Sequence, residues 1–250
     1  MAFTLYYVSG SRFSWRVYLA LEHKRAEVSA RLVSFDKNEH KSPEFLAISP
    51  RHQVPVVTHD GFALYESSAI VEYVEERFPE GPALFPGGQK GRALVRQWVS
   101  EVSSYVAPEG EVFVRELFYK SDPEKRDRAA IASARTGLAL ELERIEGRLT
   151  GEWLTGTLSA ADFTLYPLLA MFPRYEKREP ELGLSRLLGP KLRAFMSRIE
   201  ALPYFDRTYP PHWRAYPFVM FYRPAERGPV RGALAFGVAM LAVSRSRISP

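Results

Sequence analysis

The residues from Arg51 to Ala69, RHQVPVVTHDGFALYESSA, hold the densest chemistry in the chain. Glu66, Ser67 and Ser68 stand together where a short strand pattern gives way to an apolar-periodic helix. An acid and two hydroxyls at a helix start lie beside unpaired backbone N–H groups and the positive end of the helix dipole. Such a tip suits the polar end of a small zwitterionic ligand; a hairpin followed by an ordinary helix cap has the same composition. Upstream, Pro55 opens the run Val56-Val57-Thr58. A proline there donates nothing to a ladder, so it marks an edge, a strand start or a cis turn.

Other chemistries lack their residues. The chain has no cysteine, which removes disulfides, thiolate metal sites and any thiol redox chemistry of its own. The five histidines (23, 40, 52, 59 and 212) do not show H-E-x-x-H spacing, and there is no G-x-S-x-G elbow or phosphate loop. The net charge of +5 suggests nucleic acid until it is located. From Asp206 onward seven arginines face two acids, so the excess sits in the tail and the body is balanced. No nucleic-acid face is expected. A hydrophobic fraction of 46% and 250 residues are ample for one large or two small domains. Phe3 to Val8 is strand-like from the outset, with no signal-peptide pattern, and cytoplasmic residence is the expectation.

Positioning these residues takes a strand Phe3–Val8, a helix Ser14–Lys24 with one wide apolar face, and a strand alternating from Glu27 to Phe35. A polar loop, a short helix Pro43–Ile48, a hairpin turning at His59-Asp60-Gly61 and a helix Glu66–Phe78 come next. The order βαβαββα in about eighty residues is that of a thioredoxin-like α/β domain. Turn-rich sequence around Pro79 to Gly88 then separates it from a chain that stays helical in period. The expected division is 1–79, a linker 80–90, an all-α domain 91–205 and a C-terminal extension 206–250. Within the helical part, 91–119 reads as one helix interrupted or kinked at Pro108. Residues 122–149 read as a second helix, started by Asp122-Pro123-Glu124. Ser159 to Phe163 reads as a capping box with a hydrophobic staple, a structural feature, and Pro190–Leu202 as a last amphipathic helix.

Four short motifs carry a resemblance: Ser11 to Val17, Glu39 to Glu44, Gln53-Val54-Pro55 and Glu66 to Ile70. Their joint spacing resembles the glutathione transferase family, most of all its phi-type members and bacterial relatives, over residues 3–205. The resemblance implies a thioredoxin-like glutathione-binding domain followed by an all-α domain, usually in a homodimer. It implies that glutathione, as co-substrate, adds its sulfur to an apolar electrophile by conjugation, dehalogenation or isomerisation. The alternative is a non-catalytic binding or scaffold protein of the same fold.

A thiol near pKa 8.5 is only a few per cent ionised at neutrality, and a donor aimed at the sulfur lowers that value; two units are worth roughly 2.7 kcal/mol. The family places its catalytic hydroxyl where Ser11 stands. Ser9, Ser14, Tyr6 and Tyr7 compete for the role, and a plain helix cap is the structural reading of Ser11. By the same resemblance His40 and Lys41 bind the glycine carboxylate, and Gln53 helps to hold the peptide. Val54 offers its backbone as a short added strand, with Pro55 cis. Glu66 pairs with the ammonium, and Ser67 holds the γ-glutamyl carboxylate. His52 stands where the family has a glycine, which removes an easy left-handed residue. The electrophile pocket is expected between the domains, against the Tyr7–Phe13 loop and the helices around Trp98–Phe118. The tail fits no part of this pattern. Its apolar run Val230–Val243 reads first as a buried helix, second as a membrane-surface segment and third as a poorly ordered end.

Overall fold

The computed structural model describes residues 3–120 and 122–214. Strands β1 (Thr4–Tyr7), β2 (Ser29–Leu32), β3 (Val56–His59) and β4 (Phe62–Tyr65) form one sheet in the order β2-β1-β3-β4. β1 and β2 are parallel, with Leu5 opposite Ala30, and β1–β3 and β3–β4 are antiparallel. Side-chain alternation divides the sheet into two faces. Leu5 and Val57 join the main core with helices α1 (Arg12–His23) and α3 (Ser67–Arg77). Val33, Phe45 and Val56 make a small second core under the short helix α2 (Pro43–Leu46). This is the thioredoxin-like βαβαββα arrangement. β2 is much shorter than its alternation suggests, because β1 ends at Tyr7 and an edge strand cannot pair beyond its only partner.

α1 starts earlier than the apolar pattern indicates. Ser11 caps it, its Oγ accepting the Ser14 N–H at 3.3 Å while its carbonyl accepts from Trp15 at 2.9 Å. The helix packs against α3 on one side and against the helical domain on the other.

That domain contains α4 (Gly88–Glu101), α5 (Ala107–Val114), α6 (Arg128–Arg148), α7 (Ala160–Leu169), α8 (Phe172–Arg178), α9 (Pro190–Glu200), α10 (Phe205–Thr208) and α11 (Pro211–Arg214). The helix expected over 91–119 is interrupted near Pro108 and once more beyond it, by π-helical turns at Val102–Val106 and Arg115–Tyr119. The first lies just before Pro108, whose missing N–H and ring cannot continue regular α-helix pairing. Asp122 does cap, accepting from the Glu124 N–H at 3.0 Å, but only a single 3-10 turn comes after it. Arg126 is extended, and Asp127 caps the long helix α6 instead, accepting from the Ala130 N–H at 2.9 Å. At α7, Asp162 reaches back to the Ser159 N–H at 2.8 Å and also accepts from the Leu154 N–H at 2.9 Å, all within the core.

The C-terminal described residues are laid along α1. Trp15 Nε1 donates to Thr208 Oγ1 at 3.0 Å, and its ring meets Phe205, Tyr209 and Trp213 at centroid distances of 6.0, 5.8 and 5.4 Å. Among the described residues no helix is long and apolar enough to cross a membrane. The run Val230–Val243 lies outside the described residues.

Glu116 ties the second π turn to the start of α6. Its carboxylate accepts from the Asp127 N–H at 2.8 Å and from Arg115 Nε at 3.0 Å, with Lys120 Nζ at 2.6 Å. The Lys120 ammonium, the Asp127 amide and Arg115 together hold this carboxyl at about 2. A depressed acid stabilises the fold fully above its unfolded pKa of about 4.3, and that contribution is lost as pH falls through the folded value. Wild type therefore loses stability between about pH 4 and pH 2 in denaturant titrations. Glu116→Gln, with nothing to protonate, is expected to show a flatter acid limb.

Candidate functional site

Between the sheet domain and the helices lies a cavity of about 910 Å³. Its floor is the β1–α1 turn, where the Ser11 N–H donates to the Val8 carbonyl at 3.1 Å and Gly10 takes φ +86°. Ser11 is half-buried on this floor. Because its Oγ already serves as acceptor for the cap, its O–H proton remains to be donated elsewhere.

The competing hydroxyls are sorted by position. Ser9 Oγ faces the cavity but is hydrogen-bonded to His212 Nδ1 at 3.0 Å. Ser14 is buried, its Oγ without a partner among the described residues, beside a separate side pocket of about 50 Å³. Tyr7 lines the same side pocket against Tyr18, and burial pushes its hydroxyl up. Tyr6 points through the opposite face of the sheet onto Phe45, with Arg31 over its ring.

His40, Lys41, His52, Gln53 and Val54 line the cavity beside Ser11. The His40 ring lies tilted against Phe35 with ring centroids 4.2 Å apart, and its buried Nδ1 has no partner among the described residues. Desolvation first, then the neighbouring Lys41 and His52, push its imidazole below the usual range. His52 adopts φ +55°, so the loop keeps a left-handed residue without the glycine. Ser49, a residue that no sequence motif singled out, clamps the turn ahead of Val54. Its buried Oγ donates to the Gln53 carbonyl at 2.9 Å and accepts from the Gln53 N–H at 3.2 Å. The Val54–Pro55 peptide is cis, with Pro55 buried behind it. Neither the N–H nor the C=O of Val54 has a hydrogen-bond partner among the described residues.

Glu66 and Ser67 do not line this cavity; they form the tip of α3. Glu66 is exposed with φ +70°, and Ser67 is buried. Behind them is a residue whose sequence context signals no site role. Arg16, only 4% exposed, donates through Nη2 to the hydroxyls of Ser67 and Ser68, the latter at 3.0 Å. Its Nη1 donates to Thr164 Oγ1 at 3.3 Å, which fastens the tip to the helical domain. Burial pulls the guanidinium down to about 10, still ionised at neutral pH, with Glu66 opposing the shift. A guanidinium only donates, so both serine oxygens accept and their protons point away from it.

The opposite wall comes from Val114 and Phe118, from Met171 and Arg174 near the start of α8, and from His212 and Trp213. Trp98, expected at this wall, is instead buried in the core with Arg148 3.9 Å above its ring. The aromatic density after Tyr204 was the available signal for the missed wall. Arg12 joins the floor to the helices, donating to the Tyr175 hydroxyl at 3.2 Å and to Glu111. A Cβ at Gly110 would sit 2.7 Å from Arg12 Nη1, so a larger residue there would displace the guanidinium.

Comparison with known proteins gives a consistent family. The family model described as "Glutathione S-transferase, N-terminal domain" matches residues 1–76, and "Glutathione S-transferase, C-terminal domain" matches 84–203. Glutathione S-transferase A of Pleuronectes platessa is 30% identical over 216 residues, 84% of this chain and 92% of the relative. A glutathione transferase structure from Populus trichocarpa superposes with TM-score 0.72 at 26% identity, covering 83% of this chain and 97% of that one. A glutathione S-transferase structure from the Antarctic clam Laternula elliptica gives 0.69 at 28% identity, covering 86% and 94%.

The contact between floor and wall is testable through glycine. A Cβ at Gly10 would lie 3.1 Å from Trp213 Cζ2 and 3.2 Å from His212 Cε1, whereas Gly61, at φ +81°, has open space around it. Gly61→Ala should lose about 1 kcal/mol in denaturant unfolding, from backbone strain alone. Gly10→Ala should lose about 1 kcal/mol more, from displacing the two rings.

Proposed function

Since this chain belongs to the glutathione S-transferase family and carries both of its domains, we propose that Ser11 activates the glutathione thiol by donating its hydroxyl proton to the sulfur. The chain is a glutathione-dependent transferase acting on electrophiles. In this reading the thiolate attacks carbon, and the displaced electron pair leaves with a halide or moves onto a conjugated carbonyl. A single arrangement carries the proposal. A cap serine with a free proton, a strand edge at Val54 without a partner among the described residues, and the Lys41 cation beside the His40 imidazole face one cavity.

The tripeptide is laid out along that edge. Lys41, as a point charge, and His40, through its unpartnered Nδ1, take the glycine carboxylate. Val54 pairs with the cysteinyl backbone as a one-residue strand, and Gln53 holds its neighbour. Glu66 pairs with the ammonium, while Ser67 and the first N–H groups of α3 receive the γ-glutamyl carboxylate. Arg16 supports this end from beneath as a positioning residue, because it fixes the direction in which the Ser67 and Ser68 protons point. Residues 1–79 would act as the glutathione-binding unit and 91–205 as the helical unit, with 80–90 between them. Two copies would pair as a homodimer, for which exposed Phe62, Leu94 and Tyr105 offer apolar surface.

Removing the donor tests the reading. In Ser11→Ala the bound thiol should return toward about 8.5, seen as an upward shift of the ultraviolet thiolate titration. kcat/KM near pH 6.5 should fall about fifty- to a hundredfold while glutathione affinity changes little. An unchanged thiol titration would move the role to another hydroxyl. Absence of glutathione binding to wild type by calorimetry would leave a non-catalytic protein of this fold.

A further inference from the structure

The cavity beside Ser11 does not end at its far wall. A second cavity of about 520 Å³ shares Phe118, Arg174, His212 and Trp213 with it and continues to Lys177 and Arg178 at the end of α8. The two form one elongated groove leading away from the floor serine. The composition changes along it. Near Ser11 the groove is mixed, with Glu111 pairing Arg12. Among the described residues, the charged groups lining the far section are Arg174, Lys177 and Arg178, with His212 beside them.

The two arginines are held against apolar walls. The Arg178 guanidinium lies 4.2 Å above the Phe118 ring, and that of Arg174 lies 3.1 Å from the centre of Trp213. Arg174 is further held by the Ala170 carbonyl at 3.4 Å and by the Tyr209 side chain. Neighbouring arginines are neutralised within the fold, since Glu179 takes both Arg126 at 2.9 Å and Arg128 at 2.8 Å. Arg178 has no such carboxylate among the described residues. A ring stacked under a guanidinium at the end of an apolar groove favours a ligand with a flat apolar body and a terminal anion. Glutathione laid along the Val54 edge does not use this end, because its two carboxylates are assigned to the sheet domain on the opposite side.

We infer that the electrophile taken by this chain is an elongated apolar molecule ending in a carboxylate, with its reactive carbon at Ser11 and its anionic end at Lys177 and Arg178. The inference rests on the transferase reading and names the substrate class for the same site. Arg178 is then a specificity-determining residue remote from the bond that forms.

Ethacrynic acid and its methyl ester are a matched pair of probes: an aryl enone with an oxyacetate at the opposite end, differing in one charge. The glutathione thiolate adds to the terminal methylene, the electron pair passes to the ketone oxygen, and the enolate carbon takes a proton from water; nothing leaves. Wild-type full-length chain should prefer the acid over the ester by about tenfold in kcat/KM, carried by KM. The preference should collapse to about one in the double variant Lys177→Gln/Arg178→Gln and persist in Arg178→Lys. A wild-type preference near one, or a preference that survives in the double variant, overturns the inference. The thiolate titration of the same samples separates the two levels. If no thiolate forms, the transferase reading falls and takes the inference with it; if thiolate forms and the acid has no advantage, only the substrate class falls.

Discussion

Trp15 holds the site together. It lies one helical turn after Ser11, on the face of α1 turned away from the sheet. Its indole N–H is bonded to Thr208, and its ring is surrounded by Tyr166, Phe205, Tyr209 and Trp213. Aromatic pairs of this kind each add about 0.5–1.5 kcal/mol beyond the area they bury. The cluster therefore fixes where the last described helices run, and through Trp213 it fixes one wall of the cavity relative to the serine on its floor. Floor and wall are some two hundred residues apart in sequence, and one side chain sets the distance between them.

The charged residues of α1 complete the attachment. Arg12 reaches Glu111 and Tyr175, Arg16 reaches Thr164 as well as the tip of α3, and Glu22 accepts from Arg207 at 2.8 Å. Buried guanidinium groups are costly to desolvate, and they are tolerated here because each has several oxygen acceptors. What they provide is direction. An apolar interface tolerates sliding by a fraction of an ångström, whereas a planar donor fork with acceptors in two domains does not. α1 is thus both the helix whose cap bears the candidate nucleophile activator and the strut from which the second domain is hung.

The sequence made the architecture legible because its signals were local. Proline before a β-branched run, His-Asp-Gly between two strand patterns and an acid with hydroxyls before an apolar-periodic helix each correspond to a turn, a hairpin or a helix start that the structure contains. What stayed hidden depended on partners. The length of β2 is set by where β1 stops, which no alternation in β2 itself reveals. Trp98 and Trp213 are both tryptophans on helical segments, and only tertiary packing sends one to the core and the other to the cavity. Asp122 and Asp127 are both competent caps five residues apart, and the choice between them is made by Glu116, which holds the Asp127 N–H. Within the site, the spacing of His40, Lys41, Gln53 and Val54 was readable, whereas Ser49 and Arg16 act through atoms whose direction the sequence does not encode.

The cavity is assembled from both extremes of the described chain, and this orders its completion in time. Everything on the sheet side, from the serine cap to the tip of α3, is present once Arg77 has been synthesised. The ring that closes the far side belongs to Trp213. A nascent chain thus acquires its sheet-side edge more than a hundred residues of translation before Trp213, the last described part of a wall whose earlier pieces are Val114, Phe118, Met171 and Arg174.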